Sequence, residues 1–519
     1  MTKSAIRFAV LFAIGLAGFG PAVAENGEPP AIRQVVEQSY GADAAVLAFY
    51  RARDFAPAWS DADAASLQAA LMGAESEGLD PKDYYLPSGR NATVRDVGLT
   101  AAALTYIAEA GTGRPRLRAI DSDIDLPPAA LDIAADLAAA IRDHRVAALL
   151  AEAPPRAPEY ARLKSALASY RSVRDSGGWP RLPPGASGDF SGNDAIGALL
   201  RERLRFEDPI LVADPAADLI AAIKRFQARH GLEPDGRLGM RSLAELNISA
   251  DDRVHQIIAN MERWRWLPRA FEPDFIVVNV PDASLSLILG GQAAMTSRVV
   301  VGKPSTPTPI FRAEGAGITV NPVWNVPDSI ARKEILPKLK RNPAYLQSQD
   351  MILVNGPVDD PSGLQVRWRS IPAGTFPFRI QQRSGQKNSL GSLKFELPNR
   401  FNVYLHDTPA KQAFALSTRD ISHGCVRVQQ ILPLTSYALN KNLDGITAIQ
   451  DAVSNGETRY LPLERKLPVY FLYWTAFAGS DGTLQFRPDI YGRDRRLVAA
   501  LHGEALAQVS ANFPNCSRG

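Results

Sequence analysis

Cysteine is almost missing: the chain of 519 residues holds two, Cys425 and Cys516. Two cannot make a disulfide scaffold, so the fold must rest on ordinary apolar cores. A Cys425–Cys516 pairing stays open, because Cys516 sits in a polar C-terminal stretch, FPNCSRG. Histidine is scarce as well, with six in the chain. Charge excess is lacking: Lys and Arg number 58 against 55 Asp and Glu, and two of the 58, Lys3 and Arg7, precede residue 25, leaving 56 against 55. That is no electrostatic footprint for nucleic acid. Beyond residue 24 no run approaches the ~18 consecutive apolar residues a spanning helix needs.

The chain begins with Lys3 and Arg7, an apolar stretch from Phe8 to Phe19, and the small residues Ala22-Val23-Ala24. This is the pattern of a cleavable export signal over 1–24, and it predicts a soluble mature protein on the far side of a membrane. Apolar residues make up 46% of the chain, enough to fill the cores of two or three domains.

Residues 25–190 are rich in Ala, Leu, Glu and Arg, with apolar positions at three and four spacings and Pro127-Pro128 and Pro154-Pro155 as punctuation. They read as a helical scaffold domain, closing in a Gly/Pro/Ser-rich linker over 176–195. Residues 191–250 contain LIAAIKRFQARHGLEPDGRLGMRSLAELNIS, a small helical module with a turn at Pro234-Asp235-Gly236. From 251 to 500 the period changes to two, as in DFIVVNVPDASLSLIL with Leu285, Leu287 and Leu289 on one face, and a mostly β domain is expected. A more helical insert over about 321–356 interrupts it, where a lid over a sheet mouth would lie, and residues 501–519 form a tail. The expected class is therefore multidomain α+β.

Within the β domain, FNVYLHDTP precedes STRDISHGCVRVQ. Tyr404 and His406 share parity and so one strand face, and His406 stands 19 residues before Cys425, room for a loop that returns the chain beside that strand. Ionising a thiol at pH ~7 from a reference near ~8.5 takes about 2 kcal/mol, which one adjacent imidazolium can supply. Gly424 permits a sharp turn that bares the sulfur and aims backbone N–H groups at an oxyanion. A Cys–His pair with such a turn is complete for acyl transfer. Two blander readings stand beside it: a buried small hydrophobe, for which Ser422, His423 and Arg427 are poor neighbours, and zinc on His406, Asp407, His423 and Cys425, whose spacing is unusual for that metal.

Two resemblances follow. Phe226, Gln227, Gly231, Leu232, Asp235, Gly236, Gly239 and Leu243 resemble, in order, the pattern of PGBD-type peptidoglycan-binding modules, though they are mostly core and turn residues. YLHDTP…STRDISHGCVRV resembles the catalytic signature of the YkuD-like L,D-transpeptidases, and the likeness extends over about 252–500, fitting a large periplasmic branch with scaffold, wall-binding module and capping insert. That resemblance implies Cys425 as the acylated nucleophile, His406 as its base, and His423 with Gly424 as the oxyanion turn. Many relatives carry Ser where His423 stands, so His406 is preferred as base. It further implies Arg427 ordering the site or meeting a substrate carboxylate, and Tyr404 and Trp324 lining the cleft, while Trp264 and Trp266 read as core. Implied partners are peptidoglycan tetrapeptide stems as donor and acceptor, with cell-wall synthesis proteins also allowed and oligomeric state open. No metal or organic cofactor is required. Hydrolysis of the same thioester, or an inactive wall-binding scaffold, are the rival outcomes.

Overall fold

The computed structural model describes residues 31–503 except 85, 88–90, 128–130, 187–194, 358, 373, 441–444 and 480. The expected export signal and Cys516 lie outside the described residues.

The N-terminal region is helical, as its periodicity predicts. Its central helix, Ala92–Thr112, begins where the Asn91 side chain accepts from Val94 N and stops at Gly113, whose φ of +72° suits glycine. Asp96 on this helix is buried yet satisfied: it accepts from Tyr50 Oη at 2.6 Å and from the N–H groups of Ala58 and Trp59 at 2.9 and 3.1 Å. The following small module packs Leu200, Leu204, Leu219, Ile223, Phe226 and Leu246 into one core. Buried Gln227 ties its turn together, donating to Asp235 Oδ1 at 2.8 Å and Ser242 Oγ at 3.1 Å and accepting from Gly236 N at 2.8 Å. The Gln and Asp-Gly of that motif are thus structural, each meeting the other's hydrogen-bonding needs.

Fifteen strands are used below: β1 Ile124–Asp125, β2 Phe275–Asn279, β3 Ser284–Leu289, β4 Gln292–Gly302, β5 Ile310–Val320, β6 Trp324–Asn325, β7 Met351–Leu353, β8 Ile380–Gln382, β9 Leu393–Glu396, β10 Leu405–His406, β11 Asp420–Ser422, β12 Val426–Val428, β13 Arg459–Leu472, β14 Ala476–Ala478 and β15 Leu484–Phe486. The large sheet runs β5, β13, β2, β3, β4, β12, β10, β9, and β9 pairs again with β5, so the sheet closes on itself. Closure removes the exposed edges an open sheet would leave. The residues of β13 from Lys466 are followed by an unbroken buried run, Leu467 to Leu472, because the end of this strand is covered on both faces. The helix Ala250–Arg265, opened by a Ser249/Asp252 capping box, lies between the barrel and the N-terminal helices. Trp264 and Trp266 on this segment are buried, as expected, with Trp264 stacked on Trp474 at 4.7 Å. The scaffold also lends the barrel a strand: β1 pairs in parallel with the start of β5, Ile124 opposite Ile310.

The insert leaves the barrel between β5 and β9, two strands that pair with each other, and its neck is held by Asn321 N donating to Ser392 O at 2.9 Å. It is longer and less helical than the expected 321–356. β6, β8 and β7 form its own antiparallel sheet, and its core joins Val326, Ile335, Leu339, Leu346 and Leu353 to Trp368 and Ile380. The stretch between β7 and β8 has no strand or helix period to read, so sequence could not show that β8 completes the unit.

Candidate active site

β10 and β12 run parallel, Leu405 opposite Val426 and His406 opposite Arg427, with Val426 N donating to Tyr404 O at 3.1 Å. Leu405 and Val426 are fully buried in the barrel core. By the alternation of a pleated strand, Tyr404 and His406 stand on the opposite face together with Cys425 and Arg427. The parity expected for Tyr404 and His406 holds, their rings 5.6 Å apart. β9 crosses on the other side, placing Lys394 opposite His406, and the Lys394 ammonium lies 4.3 Å from the centre of the Tyr404 ring. Sequence reasoning missed Lys394, since only the register of a third strand brings it here.

The cysteine turn is braced from several directions. Gly424 has φ +111°, the conformation that favours glycine. Ser422 Oγ donates to Cys425 O at 2.6 Å and accepts from Gly424 N at 3.1 Å, while Thr308 Oγ1 donates to Gly424 O at 2.8 Å. The Gly424 N–H is therefore committed, and does not serve as the free oxyanion donor that the turn suggested. Below the sulfur, Asn402 carries a positive φ of 55°, and Cys425 Sγ donates to its carbonyl at 3.8 Å. Asn399 holds that loop in place, accepting from Phe401 N and Val403 N at 3.0 and 3.2 Å.

The electrostatics differ from the thiolate–imidazolium pair expected from sequence. Burial pushes the Cys425 thiol above its ordinary value, only partly offset by Tyr404, Lys394 and Arg427. His406 is pushed down to about 3, by burial first and by the Arg427 charge second. The carbonyls of Asp407 and Leu390 act the other way and favour a proton on the ring. Nδ1 of His406 is buried with no hydrogen-bond partner. The resting thiol and imidazole are thus both neutral, and the ring keeps one buried nitrogen without a hydrogen-bond partner. Ultraviolet thiolate absorbance, read as the difference from Cys425→Ser, should accordingly stay low through neutral pH and titrate with a midpoint above that of an ordinary thiol. A plateau already present at neutral pH contradicts this.

Asp407 is not turned to the cysteine: Oδ2 accepts from Ser392 N and Oγ, both at 3.0 Å, and Oδ1 pairs with Lys411. Among the described residues no group of three or more His, Cys, Asp or Glu is arranged to hold a metal ion. The insert meets the turn on two sides. Trp324 and Tyr404 interact through their polar tips, and the Tyr404 hydroxyl also faces Cys425. Opposite, the Glu334 carboxylate pairs with His423 Nε2. Arg427, half-buried and felt by Cys425, pairs with no carboxylate among the described residues.

Residues 273–443, which include His406 and Cys425, match the family model of the L,D-transpeptidase catalytic domain, and residues 44–167 match that of the Scaffold domain. A Haemophilus influenzae protein carrying an L,D-transpeptidase name is 33% identical over 258 residues, 49% of this chain. The match spans 51% of that relative, about half its length. Among solved structures, an L,D-transpeptidase from Mycobacterium smegmatis aligns with 38% of this chain and 58% of its own at 11% identity and TM-score 0.17. An LD transpeptidase in complex with imipenem aligns with 38% and 59% at 13% identity and TM-score 0.18. Likenesses that slight carry no argument. The family-model matches do bear on the chain: the barrel is similar over residues 273–443 to an L,D-transpeptidase catalytic domain, and the helical region is similar over residues 44–167 to a Scaffold domain.

Proposed function

We propose that the protein is a cysteine L,D-transpeptidase that forms 3→3 peptidoglycan cross-links in the periplasm, reached through the export signal at 1–24. The observation that carries this reading is the bare, buried Nδ1 of His406 on the sheet face that bears Cys425. In the first half-reaction His406 takes the thiol proton as the sulfur attacks the carbonyl at the L-centre of a diamino-acid residue in a tetrapeptide stem. The C–N bond breaks, the proton passes to the leaving amine of D-alanine, and a Cys425 thioester remains. A thiolate forming beside the ring raises the ring's own proton affinity, so a base that is weak at rest suffices during attack. The Cys425 N–H, rather than that of Gly424, meets the oxyanion. Arg427, with no carboxylate of its own, receives one from the stem. Tyr404 and Trp324 line the cleft.

In the second half-reaction the side-chain amine of another stem attacks the thioester. The insert, touching the site through both Trp324 and Glu334, caps it and limits water, which favours transfer over hydrolysis. The small helical module docks the enzyme on the wall, and no metal or organic cofactor takes part. Purified protein given disaccharide-tetrapeptides should yield cross-linked dimers lighter by one D-alanine, weighed by mass spectrometry. Tripeptides alone would make the enzyme a hydrolase using the same thioester.

A further inference from the structure

Three polar side chains from separate segments meet beside the cysteine turn. His423 belongs to the turn, Glu334 to the π-helical segment Ala331–Ile335 of the insert, and Lys303 follows β4. Glu334 Oε1 contacts His423 Nε2, and Lys303 Nζ lies 3.4 Å from that nitrogen and 3.8 Å from Glu334 Oε1. Their side chains are 32%, 38% and 37% exposed, so all three face solvent and an incoming molecule can reach them. Nothing in the fold requires such a trio: the turn is already braced by Ser422 and Thr308, and the insert has its own core. Single turns of π-helix in particular recur at functional sites.

The second half-reaction has a need that the first does not. A primary side-chain amine, with a reference value near ~10.4, is almost wholly an ammonium at neutral pH and has no lone pair to attack with. His406 suits it poorly: it is buried, and both its burial and the neighbouring Arg427 work against taking up positive charge. His423 is placed differently: its ring reaches solvent and is held by the Glu334 carboxylate. Its Nε2–H donates to Glu334, which fixes the tautomer and leaves Nδ1 with a free lone pair. The carboxylate also attracts an ammonium, and Lys303 lies 3.8 Å from it.

We propose that His423, oriented by Glu334, is the base that deprotonates the acceptor amine, dividing the two half-reactions between two histidines. This rests on the acyl-transfer reading above. His423 Nδ1 takes one proton from the acceptor ammonium, and the freed lone pair forms the new C–N bond at the thioester carbonyl. As the C–S bond breaks, the second amine proton passes through His406 to the departing sulfur, which returns to the thiol. The proton on His423 leaves to solvent, so one ammonium and one thioester give one amide, one thiol and one released proton.

The test separates proton removal from mere structure. The full chain is acylated with a tetrapeptide donor, and the thioester is then challenged with a stem amine or with hydroxylamine, an amine already neutral at neutral pH. In His423→Ser and Glu334→Gln the ratio of stem-amine transfer to acylation should fall by roughly 10²-fold, the scale of one positioned base. The hydroxylamine rate should follow acylation unchanged, and the transfer deficit should shrink as pH rises toward the amine's own value. An equal deficit with hydroxylamine overturns the proposal in favour of a structural role, and undiminished stem transfer in His423→Ser overturns it outright. If the unsubstituted protein forms no Cys425 thioester at all, it is the acyl-transfer reading itself that fails.

Discussion

A carbapenem should add its whole mass to Cys425 and to no other residue. Its strained lactam presents a carbonyl that the sulfur attacks; the ring C–N bond opens, nothing leaves, and the adduct weighs protein plus drug. Cys425→Ala should gain no mass, because the reacting atom is gone. Cys516→Ala should label as the unsubstituted chain does. Labelling that survives in Cys425→Ala and disappears in Cys516→Ala would move the nucleophile to the C-terminal stretch and sink the assignment. The geometry adds a condition on rate. Since the thiol rests protonated behind its burial and beside a neutral ring, a simple alkylating agent that reacts only with thiolate should label Cys425 slowly at neutral pH. An acylating lactam that lets His406 take the proton during attack should be far faster.

His406→Ala should slow that acylation by roughly 10²–10⁴ at neutral pH, the usual contribution of a positioned acid–base group. The sign of the pH dependence follows from the two shifts. The thiol sits above its ordinary value and is neutral below it, so without the base the variant depends on hydroxide to ionise the sulfur, and its rate should climb with pH and close on that of the unsubstituted enzyme in alkali. The unsubstituted enzyme should vary little between pH about 5 and 8, because His406, held near 3, stays neutral throughout. His423→Ser should lose far less in acylation, since its backbone remains and Ser422 and Thr308 still hold the turn. Rates of adduct formation against pH, with thermal melts to check folding, decide the matter. Should His423→Ser lose the larger factor, the base of the first half-reaction has been misassigned.

What could be read from sequence was what lies within a few residues of the cysteine or within one strand. Tyr404 and His406 share a face by parity, and the 19-residue return to Cys425 is long enough for the crossover that a parallel pair requires. The helical start, the turn glycines and the switch to a period of two were equally local signals. What was hidden is what pairing over distance creates. Lys394 reaches His406 only through the antiparallel register of β9, and the barrel closes only because β9 also finds β5. Glu334 looks like any exposed acid on an amphipathic segment until the insert folds back onto His423. Ionisation was the furthest from view: the sequence suggested an imidazolium activating a thiolate, whereas burial keeps the thiol neutral against the pull of Arg427, and burial with the Arg427 charge keeps the imidazole neutral. Burial is a property of the packed barrel, and no pattern around residues 404 to 427 announces it.

In the proposed reaction Cys425 carries an acyl group received from a peptide stem. The most direct measurement is an acid quench of the protein mixed with a disaccharide-tetrapeptide, followed by intact mass and peptide mapping. An adduct equal to the donor less D-alanine is expected on Cys425, absent from Cys425→Ala and scarce in His406→Ala. Products released with no adduct on Cys425, or the adduct found on another residue, would contradict it.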